Sequence, residues 1–173
     1  MKWKHTIHKY NVHKNEIPIY LGFFILLIFI TIIRIAPFGK TLAIAFGESM
    51  QPTFGSGDLL IVNKKKPITQ DAVVIAMVSN KINNRKKQVC KRVIGMPGDF
   101  ITVKDQELMV NGTSKGKISN QNIDPNYQKL LGKKEYFLLG DNRSNSIDSC
   151  TYGPISSDAI LGVVENVKEK TTS

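Results

Sequence analysis

Residues 88–103, QVCKRVIGMPGDFITV, decide how this chain folds. Gln88–Ile94 and Phe100–Val103 are short runs rich in β-branched residues, and the Gly95-Met96-Pro97-Gly98-Asp99 between them breaks any helix. The same grammar recurs on both sides. Leu59–Val62, Ala72–Val78, Glu107–Val110, Tyr136–Leu139 and Ile160–Val167 are apolar or alternating runs bounded by Gly, Pro, Asn and Asp. Lys104-Asp105-Gln106 reads as a hairpin turn and Val110-Asn111-Gly112 as a turn out of a strand. Thr113–Gln128, with Asn120, Asn122, Asp124, Pro125 and Asn126, reads as one long surface loop. The expectation for residues 37–173 is a mainly β domain, an antiparallel sheet or barrel-like body.

Within the opening stretch, a period of two puts Val89, Lys91 and Val93 on one face and Cys90, Arg92 and Ile94 on the other. A lysine flanked by valines on its own face fits a desolvated amine. The plainer alternative is an edge lysine that snorkels to water.

Upstream lies a different kind of sequence. Ile17 to Ile33, IPIYLGFFILLIFITII, carries no charge and has no polar face at helical spacing. With Arg34-Ile35-Ala36 it is long enough for one transmembrane helix over residues 17–36. Lys2, Lys4, Lys9 and Lys14 stand against Glu16 in residues 1–16. The positive-inside rule therefore predicts a cytoplasmic basic tail and an extracytoplasmic domain over 37–173. Ala43-Ile44-Ala45 resembles a cleavage site for a secretory signal. Against that reading, the apolar run exceeds a signal's core, Arg34 and Lys40 interrupt the approach, and cleavage there would leave three residues ahead of Ser49.

Composition narrows the chemistry. The chain has 173 residues, 24 Lys+Arg against 14 Asp+Glu, and a formal net charge of +10. All three histidines, His5, His8 and His13, precede the apolar run, so the outer region has no Ser-His-Asp triad and no His-ligated zinc. Two cysteines, Cys90 and Cys150, are too few for a disulfide scaffold or a four-thiolate metal site. No cofactor or metal is expected. Lys64-Lys65-Lys66 is followed by Pro67 and has no interleaved aromatics for base stacking, so no nucleic-acid partner is expected.

Without histidine, a nucleophilic hydrolase needs another base, and a lysine serves if burial disfavours its charged form. Gly47-Glu48-Ser49-Met50-Gln51-Pro52-Thr53 places a serine in an irregular stretch set by glycine and proline. Gly140-Asp141-Asn142-Arg143-Ser144-Asn145-Ser146-Ile147-Asp148-Ser149-Cys150 follows an apolar strand and is dense in hydroxyls, amides and carboxylates. Taken singly, each segment reads first as a structural turn.

Together the three segments resemble the type I signal peptidases, membrane-bound Ser-Lys endopeptidases that remove signal peptides from exported proteins. Ser49-Met50-x-Pro52 is similar to the family's nucleophile box. Lys91-Arg92-Val93-Ile94-Gly95-x-Pro97-Gly98-Asp99 is similar to its base box, and Gly140-Asp141-Asn142-Arg143-x-x-Ser146-x-Asp148-Ser149 to its third. The resemblance implies Ser49 as nucleophile and Lys91 as general base, with Ser146 orienting the lysine and Asp148 and Arg143 bracing the loop. It also implies cleavage after small residues of Ala-x-Ala type, in pockets near Met50 and the Ala72–Val78 strand. The partners it implies are the signal peptides of exported preproteins, membrane lipid and a nearby secretion translocon, at a bacterial cell membrane crossed once.

The chain departs from the family pattern in two places. Cys150 stands where arginine is usual, removing a salt bridge expected with Asp148. Gly47 stands where some members carry a hydroxyl, leaving the oxyanion to backbone N–H groups such as that of Ser49. Two further readings stay open: a specialised peptidase for a pilin or surface protein, and a catalytically silent membrane-anchored binding homologue. Whether Cys90 and Cys150 pair is also left open by the sequence.

Overall fold

The computed structural model describes residues 20–28, 39–79, 86–118 and 123–165. The chain divides into two units, Met1–Phe38 and Gly39–Ser173. In the first, residues 20–28 form an α-helix, α1, whose apolar side chains are exposed. The rest of the span expected over 17–36, and the tail 1–16, lie outside the described residues. Among the described residues no helix is long and apolar enough to cross a membrane.

The second unit is built from antiparallel strands. These are β1 (Lys40–Ile44), β2 (Leu59–Asn63), β3 (Val73–Ser79), β4 (Lys86–Gly95), β5 (Phe100–Lys104), β6 (Glu107–Val110), β7 (Thr113–Lys117), β8 (Gln128–Leu130), β9 (Glu135–Leu139), β10 (Ile155–Ser156) and β11 (Ile160–Val164). A single helical turn, α2 (Ser149–Tyr152), follows β9, and a 3-10 turn (Ser157–Ala159) precedes β11. One sheet has the order β1-β2-β11-β3-β4-β9-β10 and the other β7-β6-β5-β8.

Neither sheet closes, which corrects the barrel-like expectation: β1 and β10 are edges of the larger sheet, and β7 and β8 of the smaller. The long loop expected over Thr113–Gln128 is corrected too. Thr113–Lys117 is strand β7, registered on β6 through Val110↔Thr113, Met109↔Ser114 and Glu107↔Lys117. Its sequence, TSKGK, has no apolar side chain, so its strand character comes from its partner and not from its own pattern. Gln128 begins β8, and residues 119–122 lie outside the described set.

β3 is the keystone of the larger sheet. Its residues alternate between two cores, Val73 and Ile75 packing with Leu60, Val62 and Val164, and Val74 and Ala76 with Val93, Leu138 and Val163. Burial on both faces explains why β3 is a near-continuous apolar run. A third core, around Ile94, Ile101, Leu108, Phe137 and Cys150, joins the smaller sheet to β4 and β9. At roughly 25 cal/mol per Å² of apolar surface removed from water, such cores supply most of the favourable folding energy.

β1 inverts the usual arrangement. Thr41 and Ala43 are half-buried, while Leu42 and Ile44 face solvent, paired across the ladder with the exposed Ile61 and Leu59 of β2. Phe46, just past the strand, is 82% exposed and extends this apolar stripe.

Candidate active site

β1 delivers the chain to the serine. The ladder with β2 continues past the strand through Ala45 N–H to Asp58 O (2.9 Å) and Gly57 N–H to Ala45 O (2.8 Å). Gly47 then takes φ +84°, a conformation that side chains with a Cβ rarely adopt. The turn around Ser49 is closed by Gln51 N–H to Glu48 O (3.1 Å) and Phe54 N–H to Met50 O (2.9 Å).

β4 delivers the lysine. In the β3 ladder Lys91 lies opposite Val74, and Cys90 opposite Ile75. Lys91 therefore shares its face with the half-buried Val89 and with Val93, as the alternation predicts. It is 3% exposed, and its Nζ lies 2.5 Å from Ser49 Oγ. Burial holds the ammonium below its ordinary value of 10.5, because the charged form loses hydration. The Asp148 and Asp141 carboxylates act in the opposite direction without overcoming it. Lys91 is not an edge lysine reaching water.

The third segment holds the serine turn in place. Asn142 N–H donates to Ser49 O (3.1 Å), Asn142 Nδ2 to Glu48 O (3.2 Å) and Asn145 Nδ2 to Glu48 Oε2 (3.2 Å). Gly140 sits where these chains converge. A Cβ there would fall 2.5 Å from Ser49 O and closer still to Ser146 Oγ, so only glycine fits. Ser146 Oγ is itself buried.

Arg92 is the member of this constellation that sequence reasoning missed. Its Nε and Nη2 grip Asp141 Oδ1 and Oδ2 at 2.7 and 2.6 Å, and Thr53 Oγ1 donates to Asp141 Oδ2 at 2.5 Å. Arg92 Nη1 also donates to Asp71 O (2.8 Å). One residue from each segment, Thr53, Arg92 and Asp141, thus meets in a single cluster. The Asp141 hydrogen bond holds the Arg92 guanidinium above its ordinary value.

The expected braces have separate duties. Arg143 donates from Nη1 to Lys115 O (3.0 Å), tying the segment to β7. Asp148 is buried and caps α2, accepting from Cys150 N–H (3.1 Å) and Gly140 N–H (3.2 Å). Backbone donors stand where an arginine partner was missing. Ser149 Oγ accepts from Leu138 N–H (2.9 Å). Cys90 and Cys150 are both free thiols. Burial pushes the Cys90 thiol up to about 12, so it is uncharged at neutral pH.

Beside Ser49 the surroundings are apolar. Ala45, Met50, Phe54 and Ile75 share one core with the half-buried Ala43 and Cys90. Met50 and the β3 strand were expected there. Ala45, Phe54 and Cys90 were not, because β1 and the turn after Ser49 carry no period that aims them.

A buried amine on a serine hydroxyl, held by an ion-paired clamp, is an arrangement suited to acyl transfer without histidine. Comparison with known proteins identifies the family. The family described as signal peptidase, peptidase S26, matches residues 17–167. Signal peptidase I of Bacillus caldolyticus is 37% identical over 142 residues, spanning 69% of this chain and 74% of that protein. Signal peptidase I V of Bacillus subtilis is 34% identical over 143 residues, spanning 70% and 82%. A crystal structure of a signal peptidase I from Enterococcus faecalis aligns with TM-score 0.43 and 22% identity, over 58% of this chain and 98% of that one. The chain belongs to the peptidase S26 family of signal peptidases.

Proposed function

We infer that this peptidase is a membrane-anchored endopeptidase that removes signal peptides from exported preproteins, with Ser49 as nucleophile and Lys91 as general base. The observation that carries this reading is the 2.5 Å approach of a buried Lys91 Nζ to Ser49 Oγ. The neutral amine takes the hydroxyl proton as Oγ attacks the scissile carbonyl carbon. The oxyanion is met by the Ser49 N–H, which donates to no other group among the described residues. Lys91 returns the proton to the departing amine of the mature protein, then takes one from the water that hydrolyses the acyl-enzyme.

Ser146, its Oγ buried beside Gly140, orients the ammonium, and Asp148 and Arg143 hold the loop. Gly47 leaves open space beside the nucleophile, its missing Cβ having no neighbour within 4 Å. The apolar group around Met50, Ala45 and Ile75 suits small side chains of Ala-x-Ala type. The apolar run at 17–33 supplies one membrane span with residues 1–16 in the cytoplasm. The exposed Leu42, Ile44, Phe46, Leu59 and Ile61 suit contact with lipid on the outer face, near the secretion translocon.

The test is cleavage of a preprotein by the full chain in detergent. Ser49→Ala and Lys91→Ala should each lose about 10³-fold or more. Retention of more than about a tenth of the activity by either variant contradicts the assignment. For topology, protease added outside intact cells should digest 37–173 and spare the tail, and protection of the domain would show the opposite orientation.

A further inference from the structure

The Ser49 turn has a second neighbour. An open groove of ≈ 680 Å³ runs from Gln51 and Pro52, past Asn142 and Arg143, to Gln106 in the β5–β6 turn and Lys117 of β7. Neither Ser49 nor Lys91 lines it. It begins two residues beyond Ser49, so its near end lies within about 7 Å of the nucleophile. The two approaches to Ser49 therefore differ in chemistry. Ala45 leads in and packs in an apolar core, whereas Gln51 and Pro52 lead out into a groove that carries Lys117 and Arg143.

The groove is cationic. Its one lining carboxylate, Asp141, is held by Arg92 and Thr53. Lys117 is exposed at the end of β7 and forms no ion pair among the described residues. Its ladder neighbour Glu107 accepts a hydrogen bond from Ser114 Oγ. Arg143 is fixed through Nη1 on Lys115 O, which holds its positive charge at the groove wall. Amides of Gln51, Gln106 and Asn142 supply further donors.

We propose that this groove receives an acidic side chain from the first residues of the mature protein, so that Lys117 and Arg143 set a preference for Asp or Glu shortly after the scissile bond. The proposal rests on the peptidase reading above. An extended substrate advances about 3.3–3.6 Å per residue, which places the preferred acid at the second to fourth position past the cleavage point.

The experiment uses the full chain in detergent and preproteins identical except for Asp, Asn or Lys at each of those three positions. For one position, kcat/KM for Asp should exceed that for Lys by about two- to fivefold, the worth of a partly exposed ion pair. The ratio should fall toward one at about 1 M salt, where the Debye length shrinks to about 3 Å. Lys117→Glu should invert it and Lys117→Gln should reduce it. Each ratio compares two substrates on one enzyme, so partial misfolding cancels. Equal rates at every position, or a ratio indifferent to both variants, overturns the proposal. So does a Lys117→Glu enzyme that loses binding to phosphatidylglycerol vesicles while its ratio stays unchanged, which would assign the groove to a lipid headgroup. Failure to cleave any of these substrates defeats the peptidase reading itself, whereas equal cleavage of all defeats this one alone.

Discussion

Lys91 and Arg92 are consecutive residues of β4, yet the two faces of that strand treat a cation in opposite ways. On one face Lys91 is buried among Val74, Val89 and Val93, its amine on Ser49, and its proton is held more loosely than in water. On the other, Arg92 meets Asp141 through two charge-assisted hydrogen bonds and holds its proton more tightly. The difference teaches how a two-residue repeat divides labour. One face sets up an amine able to act as a base, and the next residue supplies a permanent charge that fastens the three segments together.

The largest effect expected from breaking this contrast is on the Arg92 side. Arg92→Ala leaves Asp141, whose side chain is 3% exposed, without its cation. Loss of a buried partner of this kind costs about 3–5 kcal/mol, and thermal unfolding of the detergent-solubilised chain should show it. A loss below about 1 kcal/mol would mean the pair behaves as a solvated surface bridge.

A smaller effect is expected where the faces converge. Gly140→Ala drives a methyl against Ser49 O and Ser146 Oγ. Overpacking should cost about 1–3 kcal/mol. Displacing Ser49 should lower kcat by about tenfold or more, since an ångström of misplacement can cost two orders of magnitude. Wild-type kcat in this variant would show that the crowding is relieved elsewhere.

The smallest effect has the opposite sign. Lys91→Met should stabilise the domain by about 1 kcal/mol below the pH at which the folded amine titrates, because there a buried ammonium is replaced by an apolar chain of similar length. Lys91 is lowered from 10.5 in the fold, so between its folded value and 10.5 the unfolded chain binds more protons and wild-type stability rises with pH. The advantage of the Met variant should be greatest below that window and fade toward its upper end. An advantage independent of pH would show that Lys91 is not titrating as described.

Much of this was legible in the sequence. The strands from Leu59, Ala72, Gln88, Phe100, Glu107 and Tyr136 appear within a residue or two of where alternation put them. The face shared by Val89, Lys91 and Val93 follows from period two alone. What escaped were elements whose order is borrowed. β7 has no apolar residue of its own, and β1 points its larger side chains to solvent, so neither announces itself through hydrophobic pattern. The Arg92–Asp141–Thr53 cluster escaped because it joins residues 39 to 88 positions apart, and local spacing says nothing about such closure. Asp148 was read as lacking its partner. The backbone of Gly140 and Cys150 supplies it, and no side-chain pattern reports a backbone donor.

The central claim is that Lys91 works as a neutral amine, and the pH dependence of kcat/KM on a preprotein tests it most directly. The logarithm should rise with unit slope on the acidic side and bend at a value below 10.5, reporting deprotonation of the buried lysine in the free enzyme. A bend at 10.5 or above would place Lys91 in water and give the proton from Ser49 to some other base.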